Sequence, residues 1–159
     1  MSANLRILKI DRNPNRRYQV GNVSALDDVP DSLLGCSPHF VLLLAVDASG
    51  IEDQRISAVA RTLLDRGVAS FSVWGPDCER VHDLFDIERD PKETDERVVV
   101  TTWHDKETIL EAACYFDLCA LPPSDFERDC TDWIAIAVDH EDWEAEITDA
   151  LLRGFVGAN

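Results

Sequence analysis

The stretch "FVLLLAV" at residues 40 to 46 is apolar at every position and stops at Asp47. A strand with one face in water alternates polar and apolar side chains, so an unbroken apolar run predicts a strand covered on both faces, as in a parallel sheet. Such a strand needs helices on either side, and the following residues predict the first of them. After "DASG", the segment "IEDQRISAVARTLLDRG" puts Ile56, Val59, Ala60 and Leu63 on one helical face, with Gly67 as its stop. Ser49 and Glu52 have the spacing of a capping box, which places the helix start there.

The same alternation returns three times. "VASFSVW" reads as a strand and "DCERVHDLFDIE" as a helix with Val81, Leu84 and Phe85 inward; the polar loop "RDPKETDE" follows. "RVVVTTW" leads into "DKETILEAACYF", with Ile109, Ala113 and Phe116 inward. "WIAIAV" leads into "EDWEAEITDALLRGF", with Trp143, Ile147, Ala150 and Leu151 inward. Four strand-then-helix units in succession predict parallel strands joined by right-handed helical crossovers. The expected fold is α/β: a three-layer sandwich around a mainly parallel four-stranded sheet, Rossmann-like or flavodoxin-like.

One domain is expected over 1–159, with the repeated core at 40–155. Residues 1–39 break the rhythm. "LRILKI" and "RRYQVGNV" flank the turn "DRNPN", predicting a hairpin or two edge strands, and "SALDDVPDSLLGCSP" reads as a linker. The paired prolines of "CALPPSDFERDC" exclude a continuing helix there.

Charge narrows the partners. The net charge is −16 and unevenly distributed: residues 101–159 hold fourteen acids against Lys106, Arg128 and Arg153, whereas Arg6, Lys9, Arg12, Arg16 and Arg17 crowd the first twenty residues. Such a surface repels phosphate backbones and anionic lipid, so neither nucleic acid nor membrane is an expected partner; a basic protein surface or a metal ion suits it better, and solubility alone is a sufficient use of the charge. No apolar run approaches a bilayer span, and "MSANLRILKI" has no signal core, so a soluble, cytoplasmic protein is expected. Five cysteines with no CxxC pair indicate neither a disulfide framework nor a zinc ribbon.

In open parallel sheets ligands bind beyond the carboxyl ends of the strands. Four such ends bring Asp47 and Ser49, then Trp74 and Asp77, then Trp103, His104 and Asp105, then Asp139 and His140 to one rim. Two readings stand side by side. In one, Asp47, Asp105 and Asp139 bind a divalent cation while His104, with Asp77 and His82, supplies acid and base chemistry. In the other, Asp77, Asp105 and Asp139 stand directly before helices and cap them, each worth about 1 kcal/mol.

The segment "VWGPDCERVHDLFD" joins this rim to the second helix. His82 is expected on an exposed face among carboxylates, a setting that favours its protonated form, with Glu79 before it and Asp86 after it. Cys78, one turn before His82, has the spacing of a two-ligand metal patch, and equally that of a packed thiol. Trp74 and Trp103 are placed to stack on a planar ligand or to cover the margin of the core. A phosphate loop is disfavoured, since "DASG" opens with an acid and neither GxGxxG nor GxxxxGK[ST] occurs, and there is no GxSxG elbow.

The phrases "GPDCERVHD" and "TTWH" resemble an uncharacterised bacterial family of small α/β proteins carrying a domain of unknown function, over about residues 40–152. The resemblance implies no activity or cofactor; it points to Trp74, Asp77, Cys78, His82, Trp103 and His104 as one face. The expected function is a non-catalytic interaction module whose acidic face, including Trp74, Cys78, Trp103 and His140, meets a basic partner, as an inhibitor, immunity-type or regulatory subunit would. The alternative is a divalent-metal-assisted hydrolase of a small or phosphorylated substrate.

Overall fold

The structure, a computed structural model, describes residues 5–89 and 99–155. Most of the polar loop expected at 89–96, and the first two residues of the strand expected after it, lie outside the described residues.

The chain is a mixed α/β fold built on one six-stranded sheet in the order β1-β2-β6-β3-β4-β5. Its strands are β1 (Arg6–Leu8), β2 (Arg17–Val23), β3 (His39–Ala45), β4 (Val68–Trp74), β5 (Val100–His104) and β6 (Cys130–Val138). All neighbours run parallel except β1, which pairs antiparallel with β2. The expected hairpin is therefore present, but the count of four strands is corrected to six. β2 does not stay at the margin: residues 17–23 pair with Asp132–Val138 in continuous register. Its crossover to β3 is a 3-10 turn (Leu26–Asp28) and α1 (Val29–Ser32), too short to display the helical periodicity that marks the other units.

The unbroken apolar run behaves as its composition requires. Phe40, Leu42 and Leu44 enter one core, Val41, Leu43 and Ala45 enter another on the opposite face, and all six are at most 1 % exposed. The first core is closed by α2 (Asp53–Asp65), α3 (Cys78–Glu88) and the β2–β3 crossover, through Ile56, Val59, Leu63, Val81, Phe85, Leu26 and Val29. The second is closed by α4 (Ile109–Leu118) and α5 (Glu141–Arg153), through Ile109, Phe116, Ile147 and Leu151. Burying each such side chain stabilises by about 1.5–3 kcal/mol, which is why the inward stripes read from the sequence are the ones buried. Leu84 and Trp143 are the partial exceptions, packed at the margins.

Helix starts depart from expectation in detail. The Ser49–Glu52 box does not form. Ser49 gives both its backbone N–H (3.0 Å) and its hydroxyl (2.6 Å) to Asp47 Oδ1, so α2 begins only at Asp53. α4 is capped by Thr108, whose hydroxyl accepts the Glu111 N–H at 3.1 Å, not by Asp105. α5 begins after His140, and Asp139 is not its cap. Asp77 does hold the cap position of α3, but with φ 65° its carboxylate caps nothing and accepts from Arg80 instead.

Candidate functional site

The strand order fixes where a site can form. The chain leaves β3 for α2 on one face of the sheet and leaves the adjacent β6 for α5 on the other, so a crevice opens between their carboxyl ends. A cleft of about 480 Å³ lies there, with Ser24, Asp47, Ser49, Arg55, Asp139 and His140 in its wall. That volume falls in the range of roughly 300–1,000 Å³ typical of small-ligand sites.

Each side chain is held by its own loop. The Ser49 hydroxyl and N–H on Asp47 lower that carboxyl's pKa, and the neighbouring His140 adds to the effect. Asp139 sits at φ 54° because its N–H reaches across to Val23 O at 2.7 Å, while the next N–H, of His140, donates to Asn22 Oδ1 at 3.1 Å. β2 thus braces the loop after β6. The His140 ring stacks on Trp143 with centroids 3.5 Å apart, and Trp143 meets Trp74 edge-on at 4.9 Å. Arg55 is engaged by Asp27 at 3.0 Å.

The loops after β3 and β4 run together. Val46 N–H donates to Trp74 O and Ala48 N–H to Pro76 O, both at 3.0 Å. The turn between them requires Gly75, at φ 122°, because a Cβ there would lie 2.1 Å from Val46 O. Arg80 then ties both loops to α2, donating to Ala48 O (2.6 Å), Asp53 (2.5 Å) and Asp77 (2.7 Å).

The structure brings Asp47, Asp139 and His140 to this cleft and separates the other candidates from it. Asp105 follows β5, two strands from β3 and thus about 10 Å along the sheet. His104 is 4 % exposed; its Nδ1 lies 2.7 Å from Glu107 and its Nε2 3.0 Å from Thr102 Oγ1. His82 corrects the expectation of an exposed imidazole: it is 8 % exposed, with Nε2 3.2 Å from Thr101 Oγ1, Nδ1 3.0 Å from Asp83, and Trp103 packed on its ring at 4.4 Å. It is buried because β5 is an edge strand whose Thr101 and Trp103 lean onto α3, while Asp86 anchors Thr101 through a 2.6 Å hydrogen bond. Cys78 is wholly buried in the core, which pushes its thiol pKa up. Trp74 donates its indole N–H to Glu107 O at 2.8 Å. Among the described residues, no three His, Cys, Asp or Glu side chains converge as a metal-ligand group.

Sequence reasoning missed Arg80, Asn22, Arg55 and Ser24. Arg80 had a signal, three residues after Asp77 in the quoted motif. Asn22 and Ser24 had none, because nothing local places the end of β2 beside β6.

Residues 19–154 match a family described as a domain of unknown function (DUF7684). The chain belongs to that family. The match starts within β2, so the family's unit includes residues 19–39 and not only the repeated core that the two phrases suggested. No curated protein matches the chain.

Proposed function

We propose that the protein is a non-catalytic interaction module that docks a basic protein surface against the carboxyl rim of its sheet, on a Rossmann-like three-layer scaffold. The observation that carries this reading is the state of the rim carboxylates. Asp47, Asp77, Asp105 and Asp139 are all exposed. Asp47 is bonded only to the serine of its own loop, and the carboxylates of Asp105 and Asp139 have no hydrogen bond and no ion pair among the described residues. Glu141 and Asp142, in the first turn of α5, extend the same edge. Charge left unpaired beside a hollow costs self-repulsion, and an incoming cationic surface relieves it.

The same field disfavours nucleic acid and anionic lipid. Among the described residues no helix is long and apolar enough to cross a membrane. Five free cysteines suit a reducing compartment, in keeping with a cytoplasmic protein.

The test is titration with a polylysine peptide at low and high salt. The Asp47→Asn, Asp105→Asn, Asp139→Asn triple variant is compared with a control neutralising Asp125, Glu127 and Asp129 at the opposite end. Binding that weakens with salt and falls several-fold more in the rim variant supports the reading. Equal losses in the two variants would refute it.

A further inference from the structure

We infer that the opposite, amino end of the sheet holds a second site, for a small molecule bearing a carboxylate. A cavity of about 640 Å³ opens there between the β1–β2 loop, the start of β6 and the α4–β6 connection, with Asn15, Arg16, Leu121, Glu127, Arg128 and Trp133 in its wall. The charge pattern around it is unlike the rest of the molecule. Every described arginine except Arg128 has a carboxylate oxygen within 4.0 Å. In a chain with 31 acids and 15 basic residues, a guanidinium without a carboxylate is out of keeping, and Arg128 faces this cavity.

Its neighbour Arg16 is only partly engaged. Nη1 makes all of its hydrogen bonds, to Tyr18 OH at 3.1 Å and to the backbone oxygen of Asp117 at 2.7 Å, while Asp117 Oδ1 stands off at 3.8 Å. The Arg16 guanidinium lies over the Trp133 ring at 4.1 Å, which fixes its plane and leaves Nε and Nη2 without partners among the described residues. Trp133 itself is 4 % exposed, and its buried indole N–H has no hydrogen-bond partner among the described residues. The Trp133 side chain lines the cavity, so the resonance of its indole N–H reports on what occupies it.

Two guanidiniums and an amide present donors to an anion, and Leu121 and the Trp133 ring flank an apolar body. Glu127 decides the class of anion. Its carboxylate in the same wall penalises a second negative charge, favouring a monocarboxylate over a phosphate.

The site is tested by titrating benzoate and, separately, inorganic phosphate into the full chain at millimolar concentration while following the Trp133 indole N–H resonance, assigned with Trp133→Phe. Benzoate is expected to shift that resonance saturably. Arg128→Ala removes an exposed side chain with no ion pair and no side-chain hydrogen bond among the described residues, so the fold is expected to stand, and it should weaken benzoate binding about tenfold through the lost charge-assisted bonds. Arg153→Ala, an exposed arginine elsewhere, should leave binding unchanged. Phosphate shifting the resonance in preference to benzoate would overturn the carboxylate assignment. No shift with either probe, or a benzoate shift that survives Arg128→Ala, would overturn the site.

Discussion

The two ends of the sheet treat their carboxylates in opposite ways. At the amino end, Asp132 is wholly buried, chelated by Arg17 through bonds of 2.6 and 2.8 Å and holding the Ser37 N–H at 2.7 Å. Asp117, 2 % exposed, takes Arg12 at 3.0 Å and the Tyr18 hydroxyl at 2.5 Å. At the carboxyl end, Asp47, Asp105 and Asp139 face water, with no ion pair among the described residues. The arginines crowded into the first twenty residues are therefore not a basic patch. Three of them neutralise buried aspartates on α4 and β6, which pins the β1–β2 hairpin to the body. The buried acids are paired at the amino end, while the carboxyl end carries exposed acids that no arginine takes up among the described residues, beside those that Arg55 and Arg80 hold.

The sharpest way to break this contrast is to remove one carboxylate from each pole. Asp117→Ala strands the guanidiniums of Arg12 and Arg16 together with a buried tyrosine hydroxyl, and should lower stability by about 3 kcal/mol or more. Asp132→Ala should cost about 2–3 kcal/mol, less than a fully buried pair because the Arg17 side chain is 45 % exposed and water takes up part of its charge. Urea unfolding measures both. A loss under about 1 kcal/mol in either would mean that the amino-end ion pairs are ornaments of the surface.

The next effect is a dependence on alkaline pH, in which the amino end carries the largest shifts. Burial, reinforced by the charge of Asp132, pushes the thiols of Cys36 and Cys130 up to about 11 and about 12 from an ordinary 9.0. Burial and the hydrogen bond to Asp117 raise the Tyr18 phenol as well. A group whose folded pKa is raised holds its proton more tightly when folded, so its contribution is complete below the unfolded value and is lost as pH climbs through the folded one. Stability should thus decline from about pH 9 towards 11, and less steeply in Cys130→Ala. A flat profile over that window would contradict the burial of these groups.

The contrast also explains what could be read in advance. The run at 40–46 and the helical stripes after it are local patterns imposed by burial on two faces, so the α/β class, the parallel direction of four strands and the facing helix residues were legible. β2 was legible as a strand of the hairpin, but its interior place was not, because its partner β6 lies more than a hundred residues away and its crossover is too short for periodicity. Of the rim candidates, Asp47, Asp139 and His140 were legible as neighbours of a strand end, and β3–β6 adjacency does bring them together. His104 and His82 could not be excluded from the rim by sequence, since the packing of Glu107 and Tyr115 over one ring and of Trp103 over the other is tertiary.

At the carboxyl pole the expected effects are smaller, and their smallness is informative. Asp105→Asn and Asp139→Asn remove no partner and should change stability by no more than about 0.5 kcal/mol. Magnesium or manganese at millimolar concentration should leave the melting temperature within about 1 °C, because the rim aspartates are spread over strands rather than gathered around one point. A larger rise that Asp47→Asn abolishes would replace the docking reading with the metal-assisted one.

The smallest effect isolates one turn. Ser49 holds the Asp47 carboxylate with two donors, and those bonds are the main cause of its lowered pKa. The sign follows from linkage: a depressed folded pKa gives a contribution present above the unfolded value and lost as pH falls through the folded one. Ser49→Ala removes the hydroxyl bond and keeps the backbone one, so Asp47 should titrate closer to an ordinary carboxylate, by NMR, with stability at neutral pH almost unchanged. The rim field at neutral pH is then the same, because the carboxylate stays ionised, and polylysine binding should not move. Weaker binding in Ser49→Ala would mean that the partner reads the orientation of Asp47 rather than the charge of the edge, which would turn a diffuse electrostatic surface into a shaped one.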